Sequence, residues 1–245
     1  MSLEFLSPGA NALARSPMER QALAAGATLE ERDGWNVAVS FDGPEPERER
    51  CRSRVGFADR SQLGKVEIQA EPGDLAAIAS AGAGTPVELE LGLATRSAGA
   101  WWCPYTPERA IVLCEPGELS GLRERLEEAA ASASATASVL DVSTVFAALA
   151  IAGPGARETF ARFTALDLRP ASLPVRGFRP GSVARTPGAV LREGEDRFLM
   201  LFGSALGQYV WTVVADAAGN LGGGPVGVAA LEPLELAMAE GSPRA

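Results

Sequence analysis

The side chains that could carry chemistry here are mainly carboxylates, because the sequence contains no histidine. That absence excludes Ser-His-Asp and Cys-His nucleophile systems, histidine-ligated zinc and the usual general base near neutral pH. Cys51, Cys103 and Cys114 lie far apart without a CxxC pair, so neither a redox pair nor a metal site is predicted. An enzyme built from this chain would need carboxylates as its acids and bases, or a cofactor that supplies the chemistry.

The most informative stretch is the polar turn Phe57–Lys65, with the sequence FADRSQLGK. It carries Asp59 and Lys65 and then runs into Val66–Gln69, where apolar and polar residues alternate as in a half-buried strand. Asp59 is a candidate ligand-binding carboxylate. The alternative is that it caps the turn or pairs with a neighbouring cation on the surface, where such pairs contribute little.

Two more segments place carboxylates on predicted elements. Glu195 lies between the strand-like runs 188–192 and 198–202, which predict a hairpin. Residues 87–93 alternate in polarity and predict a strand whose wet face carries Glu88 and Glu90.

Two regions rich in proline predict loops. Asp42–Arg54 is dense in Pro, Glu and Arg and predicts an exposed linker or irregular helix. Arg169–Pro187 predicts a long irregular excursion. Both are candidate contact surfaces.

The totals describe an ordinary globular protein. The chain has 245 residues, of which 47% are hydrophobic and 22% charged, and its net charge is −9. An acidic chain without a basic patch argues against nucleic-acid binding. No apolar run is long enough to cross a bilayer and no secretory signal is recognisable, so we expect no membrane partner and a cytoplasmic location.

The order of predicted elements repeats across an Ala/Ser tract at 131–138. Each half predicts strand, helix, paired strands and helix, which favours an α+β fold of duplicated ferredoxin-like α/β sandwich units. We therefore predict an N-terminal extension at 1–50, a first unit at 51–130, and a second unit with a terminal helix at 139–245.

Five segments resemble, in chain order, motifs of the glycine-cleavage T-protein (aminomethyltransferase) superfamily: Ser16-Pro17 with Gly34-Trp35, Phe57–Lys65, Ile151–Ala156, Gly194–Phe198 and Pro225–Leu231. Four others resemble the sarcosine oxidase gamma subunit, a non-catalytic relative: Trp102–Leu113, Asp141-Val142-Ser143, Leu166–Pro170 and Ser204–Trp211. The resemblance implies the T-protein folate-binding fold without its C-terminal β-barrel. It also implies FAD-dependent oxidase subunits as partners.

The resemblance further implies tetrahydrofolate as the cofactor. Glu195 matches the family position that faces the pterin ring, and Asp59 lies in the turn that resembles the family's motif; these two are the cofactor-binding candidates. No catalytic residue is assigned, because Ser97–Trp102, the stretch equivalent to the hairpin after the family's first helix, lacks the aspartate that the family carries there. Leu231–Leu236 carries Leu and Glu where the family has Arg, which reverses the local charge. A solvated hairpin tip is the alternative role for Glu195.

Two function classes follow. The first is a non-catalytic subunit or binding module of a sarcosine oxidase-type complex. The alternative is a tetrahydrofolate-dependent aminomethyltransferase or demethylase whose carboxylate has moved to Glu88 or Glu90. A folate-binding repair-type protein comes last, since no cysteine lies in the matching context.

Overall fold

The computed structural model describes residues 13–133 and 136–231 and has the predicted α+β architecture. Its helices are α1 (Glu19–Ala24), α2 (Pro44–Ser53), α3 (Pro72–Ala83), α4 (Leu119–Ala133), α5 (Ala156–Ala161) and α6 (Gly207–Gly219). Its strands are β1 (Ala14–Arg15), β2 (Thr28–Arg32), β3 (Trp35–Ser40), β4 (Gly56–Asp59), β5 (Gly64–Gln69), β6 (Thr95–Ser97), β7 (Ala100–Thr106), β8 (Arg109–Cys114), β9 (Ser138–Asp141), β10 (Phe146–Ala152), β11 (Phe178–Val183), β12 (Thr186–Gly194), β13 (Arg197–Gly203) and β14 (Gly224–Pro225). A further helix begins at Val228. The part of that predicted helix beyond Leu231 lies outside the described residues.

The first half builds a five-stranded antiparallel sheet in the order β6-β7-β8-β5-β9. The succession β5-α3-β7-β8-α4-β9 is that of a ferredoxin-like unit, and β6 extends the sheet beside β7. Helices α3 and α4 cover one face, where Ile78 and Leu126 pack against Ile68 and Trp102.

The second half builds a six-stranded sheet in the order β11-β12-β13-β10-β4-β14. Helices α5 and α6 cover one face through Phe160, Val210 and Val214, which share an apolar cluster with Ile151 and Met200. Strand β4 precedes the first unit in the chain, yet it pairs with β10 in this sheet. Strand β9 precedes β10 and pairs with β5 in the other sheet. The domain boundaries therefore stay a prediction, and strand pairing crosses them in both directions.

The two sheets face each other on the sides that the helices leave free. Cys103, Ile111 and Leu113 of the five-stranded sheet share one buried cluster with Ala150 and Leu199 of the six-stranded sheet. Alternation along each strand explains this layering, because successive side chains point to opposite faces. The molecule thus has helices outside and sheet against sheet inside.

The N-terminal extension forms a three-stranded sheet in the order β1-β3-β2. Most of Asp42–Arg54 is exposed as predicted, but α2 is a regular helix that buries Glu47 and Cys51. Glu47 Oε1 accepts hydrogen bonds from the backbone N–H groups of the turn before the helix, including Phe41 at 2.6 Å, and Oε2 accepts one from Gly227 at 2.6 Å. A buried carboxylate is tolerated when donors surround it, and the charge pattern of the stretch does not show which of its glutamates is buried.

The strand predicted at 87–93 is also wrong, because residues 85–90 are irregular. Val87 N donates to Ser80 Oγ at 3.0 Å and Glu88 O accepts from Thr95 Oγ1 at 2.6 Å, so side chains take the place of a neighbouring strand. Val87 is buried and Leu89 packs beside it on the helix-side cluster. The alternation therefore reflects inward packing at Val87 and Leu89, while Leu91 is 53% exposed.

The excursion predicted at 169–187 contains strand β11, which pairs with β12 through the whole register Phe178↔Leu191 to Val183↔Thr186. Its tight turn uses Ala184 and Arg185 at φ +47° and +60°, where Gly and Asn are the usual residues. Because Ala and Arg are not typical of such a turn, the sequence does not predict this hairpin. The hairpin predicted around Glu195 is confirmed as β12–β13. None of the helices within the described residues has both the length and the apolar character needed to cross a membrane.

Candidate functional site

Two short turns carry the chain from one sheet to the other. The first crossover turn, residues 60–63, joins β4 in the six-stranded sheet to β5 in the five-stranded sheet. The second crossover turn, residues 142–145, joins β9 in the five-stranded sheet to β10 in the six-stranded sheet. Strand β4 pairs with β10 in the six-stranded sheet, and β5 pairs with β9 in the five-stranded sheet. Each turn therefore connects one strand of the first pair to one strand of the second.

The two turns share a local sequence, Asp-x-Ser, and a local structure. Ser61 N donates to Asp59 Oδ1 at 2.9 Å, and Ser143 N donates to Asp141 Oδ1 at 2.9 Å. This side-chain-to-backbone bond closes each strand end in the manner of an Asx turn.

The longer-range bonds of the turns also match. Arg60 N donates to Ala148 O at 2.9 Å, and Val142 N donates to Lys65 O at 2.8 Å. The Ser61 hydroxyl accepts from Ala148 N at 3.3 Å, as the Ser143 hydroxyl accepts from Lys65 N at 3.0 Å. The turns are therefore related by a local pseudo-twofold symmetry, in which Lys65 corresponds to Ala148.

Asp59 is buried at the end of β4. Its Oδ2 accepts a hydrogen bond from the Ser16 hydroxyl of the N-terminal extension, while Oδ1 holds Ser61 N. Burial raises the pKa of Asp59, and the bonds from Ser16 and Ser61 oppose that rise. The expectation that it merely pairs on the surface is wrong; the carboxyl ties the extension to the first crossover turn.

Lys65 is the one lysine of the sequence and is fully buried. Its Nζ donates to three carbonyl oxygens: Ser61 at 2.9 Å, Leu63 at 2.8 Å and Ser143 at 3.2 Å. Burial lowers the pKa of Lys65 to about 8, with Asp59 acting in the opposite direction. All three N–H groups of the ammonium are used, so Lys65 fastens both crossover turns to one another.

The surroundings of the two turns differ. At the first turn Ala58 is 1% exposed and Leu63 is 6% exposed. At the second turn Leu140 and Val145, which occupy the corresponding positions, are 51% and 54% exposed. The symmetry of the backbone is not matched by symmetry of burial.

A covering segment, residues 224–231, accounts for the burial at the first turn. Its strand β14 pairs in parallel with β4, and Val226 N donates to Phe57 O at 2.9 Å. Val226 and Leu231 are buried in the layer between the sheets, in the same cluster as Ala58 and Leu63. Gly227 fits so closely against β3 that an added Cβ would lie 1.9 Å from Val39 O.

Glu195 lies at the tip of the β12–β13 hairpin with 82% of its side chain exposed. Its Oε2 accepts a hydrogen bond at 2.7 Å from Arg192 Nη2, and the Arg192 guanidinium is otherwise bound to carbonyls of Leu173 and Gly194. The structure does not bring Glu195 beside Asp59: Asp59 pairs with Leu149 in the middle of β10, whereas the hairpin tip precedes Arg197, which pairs with Ala152 at the end of β10.

The layer between the sheets holds charged side chains in pairs. Arg109 Nη2 binds Glu67 Oε2, and Arg197 Nε binds Glu193 Oε2 at 2.8 Å. Tyr105 stands beside the first pair with the Arg109 guanidinium 5.5 Å from its ring centre. Paired, buried carboxylates of this kind are poor candidates for a general base, because each already binds a cation.

The remaining candidates lie elsewhere. Glu88 and Glu90 are exposed on an irregular segment. The hairpin between β6 and β7 turns on Ala98 and Gly99. In the described residues no cluster of three or more His, Cys, Asp or Glu side chains could hold a metal ion.

All three cysteines are free and buried. Burial raises the pKa of Cys51 to about 11 and that of Cys114 to about 12, and it raises the pKa of Cys103 further. None of them is therefore a thiolate near neutral pH.

Sequence reasoning missed Ser16, Ser143 and Glu47, which fasten Asp59, Lys65 and the covering segment. The repeat of Asp-x-Ser at 59–61 and 141–143 was the available signal for Ser143. Ser16 and Glu47 bind partners 43 and 180 residues away, which local patterns do not show.

Comparison with known proteins gives the family. The sequence model of the family described as "Sarcosine oxidase, gamma subunit family" matches residues 68–220. Curated relatives include aminomethyltransferases of Acidobacterium capsulatum, 28% identical over 87% of this chain and 60% of the relative, and of Saccharopolyspora erythraea, 26% identical over 91% and 63%. The chain thus spans less than two thirds of the length of these relatives.

Solved structures show the same fold. The glycine cleavage system aminomethyltransferase T from Bartonella henselae has a TM-score of 0.78 at 18% identity, covering 91% of this chain and 62% of that one. A chain of the heterotetrameric sarcosine oxidase from Corynebacterium sp. U-96 has a TM-score of 0.63 at 21% identity, covering 85% and 96%. These likenesses confirm the predicted fold class. With the family match over more than half of its length, the chain belongs to the sarcosine oxidase gamma subunit family.

Proposed function

We propose that this chain is a non-catalytic subunit of an amine-oxidising complex of the sarcosine oxidase type. The observation that carries the proposal is membership of the gamma subunit family across residues 68–220. Its role would be structural or ligand-binding within the complex, and FAD-dependent oxidase subunits would be its partners.

The described residues support a role without catalysis of its own. The turn at Ala98-Gly99 carries no carboxylate, although the T-protein resemblance expects an aspartate on this hairpin. The interior carboxylates Glu67 and Glu193 are bound to arginines. The relocated-carboxylate alternative loses its geometric support, because it depended on a strand that residues 85–90 do not form.

Tetrahydrofolate remains the proposed ligand of the fold, with Glu195 and Asp59 as its proposed contacts. Of the two, the Glu195 carboxylate is the accessible one, since Asp59 is enclosed by Ser16 and Ser61. Calorimetric titration with 5-formyltetrahydrofolate tests this part. Micromolar binding that Glu195→Ala abolishes supports it, and absence of binding at millimolar ligand contradicts it.

The subunit proposal is tested by co-expressing the chain with the remaining oxidase subunits from the same organism. We expect a complex with one copy of this chain per assembly in size-exclusion chromatography with light scattering, and flavin absorbance in the same peak. A control co-expression with an unrelated flavoprotein should leave the chain alone. If the chain elutes by itself and transfers one-carbon units to tetrahydrofolate unaided, the proposal is wrong.

A further inference from the structure

Strand β9 is the counterpart of β4 under the pseudo-twofold symmetry of the crossover turns. In the six-stranded sheet, β4 is followed by β14, so it is not the edge. In the five-stranded sheet, β9 pairs with β5 and, among the strands of the described residues, with no other. The outer side of β4 is thus covered by β14, whereas no described strand covers the outer side of β9.

The side of β9 that faces away from β5 carries backbone N–H and C=O groups that can pair with another strand. Val142 N donates to Lys65 O, so the alternation of an antiparallel pair directs the N–H and C=O groups of Val139 and Asp141 away from β5. At the matching point of β4, Phe57 O accepts the hydrogen bond from Val226 N at 2.9 Å. The carbonyl of Val139 on β9 therefore corresponds to the carbonyl of Phe57 on β4, which accepts this bond.

Side chains beside this edge are apolar and exposed. Leu140 and Val145 are 51% and 54% exposed, and Phe146 is partly buried on the layer between the sheets. Leu140 pairs with Glu67, whose carboxylate is already bound to Arg109, and the exposed carboxylate of Asp141 beside it accepts a hydrogen bond from Ser143 N at 2.9 Å. Exposed edges with apolar side chains are sites where other chains add to a sheet.

We propose that β9 and the second crossover turn are the surface on which a partner oxidase subunit docks, an inference that rests on the proposed function. The partner presents an extended segment that pairs with β9 and lays apolar side chains on Leu140 and Val145. The template for this occupant is the covering segment itself, where two residues of parallel strand are followed by apolar residues that bury the corresponding positions of β4. Strand addition supplies main-chain hydrogen bonds, and the apolar side chains supply specificity.

The experiment compares the double variant Leu140→Lys, Val145→Lys with the wild-type chain in binding to the purified FAD-bearing oxidase subunit. The matched control is Leu23→Lys on α1, which is 51% exposed like Leu140. We expect the double variant to raise Kd roughly tenfold or more, because charges at the centre of an apolar interface are desolvated, and the control to leave Kd unchanged. Thermal unfolding of each variant is measured alongside, and the single variant Val145→Lys, in the turn, serves if the double variant unfolds.

Each other outcome overturns the surface assignment in a distinguishable way. If wild type and double variant bind the subunit equally well, this surface is not the docking site while the subunit proposal stands. If the wild-type chain does not bind the subunit at all, the subunit proposal fails and this inference fails with it. If the variant instead abolishes a dimer of the chain seen by light scattering and leaves subunit binding intact, the occupant of β9 is a second copy.

Discussion

The first and second crossover turns have the same backbone hydrogen bonds but lie in different surroundings. Ser61 and Ser143 make matching bonds across the strand exchange. The first turn is closed by the Ser16 hydroxyl on Asp59 and by the covering segment at 224–231, whereas Asp141, Thr144 and Val145 at the second turn are exposed. The comparison teaches that duplication supplied two equivalent strand edges and that the chain itself covers one of them.

One substitution tests how firmly the covering segment is held. We expect Gly227→Ala to cost about 4 kcal/mol of unfolding free energy or to release the segment, because its Cβ would meet the backbone of Val39 and Ser40 at 1.9–2.3 Å. Urea denaturation measures the loss. Gly224→Ala is the matched control, since its Cβ would have no neighbour closer than 3.8 Å. Equal stability of the two variants would show that the segment does not hold β4.

Among the positions related by the symmetry, the largest difference in side chain is between Lys65 and its counterpart Ala148. We expect Lys65→Met to cost about 3 kcal/mol, since the carbonyls of Ser61, Leu63 and Ser143 would lose their shared donor. Chemical denaturation of the variant checks this. Thr144→Met on the exposed second turn is the control and should change stability by at most about 0.5 kcal/mol. A Lys65→Met variant as stable as wild type would contradict the fastening role.

The same lysine predicts a pH dependence. Its pKa is lowered from 10.5 to about 8 by burial, so the folded state binds fewer protons than the unfolded state between these values. The contribution of Lys65 to stability must then rise with pH from about 8 to 10.5, and it is lost as pH falls through 8, by at most about 3 kcal/mol. Denaturation curves across this range should show wild type gaining stability relative to Lys65→Met, because the buried cysteines, whose raised pKa values lower stability as pH rises, affect both proteins alike. A flat difference between the two proteins would mean that the pKa is not lowered.

The two serines test the symmetry itself with a smaller effect. Ser61→Ala and Ser143→Ala each remove a buried hydroxyl that accepts a backbone N–H, at 3.3 and 3.0 Å. We expect each to cost about 1 kcal/mol, and the two losses to agree within about half of that. If one serine matters and the other does not, the turns are alike in shape but not in energetics.

Much of the fold follows from the sequence by local patterns. The Phe57–Lys65 turn, the hairpin around Glu195 and the repeat of elements across the Ala/Ser tract are all predicted correctly, because polarity alternation and turn residues are local signals. The strand predicted at 87–93 fails because alternation reports which side chains point inward and not which backbone groups find a partner strand.

The candidate site is less predictable than the fold. Asp59 and Lys65 stand out in the sequence, but their partners Ser16 and Ser143 come from distant positions, and the exchange of β4 and β9 between the sheets is a property of tertiary pairing. The burial of Glu47 is hidden for the same reason, since its backbone donor Gly227 lies 180 residues away. Charge alone therefore predicts a solvated face where the fold places a buried acceptor.

The most direct test of the comparison is amide hydrogen exchange at β4 and β9, in the free chain and in the complex with the oxidase subunits. In the free chain we expect the amide of Phe57, which pairs with the covering segment, to exchange slowly, and those of Val139 and Asp141 to exchange fast. In the complex the amides of Val139 and Asp141 should slow to rates like that of Phe57. Unchanged exchange at Val139 and Asp141 in an assembled complex would contradict the account that a partner covers the edge which the chain leaves open.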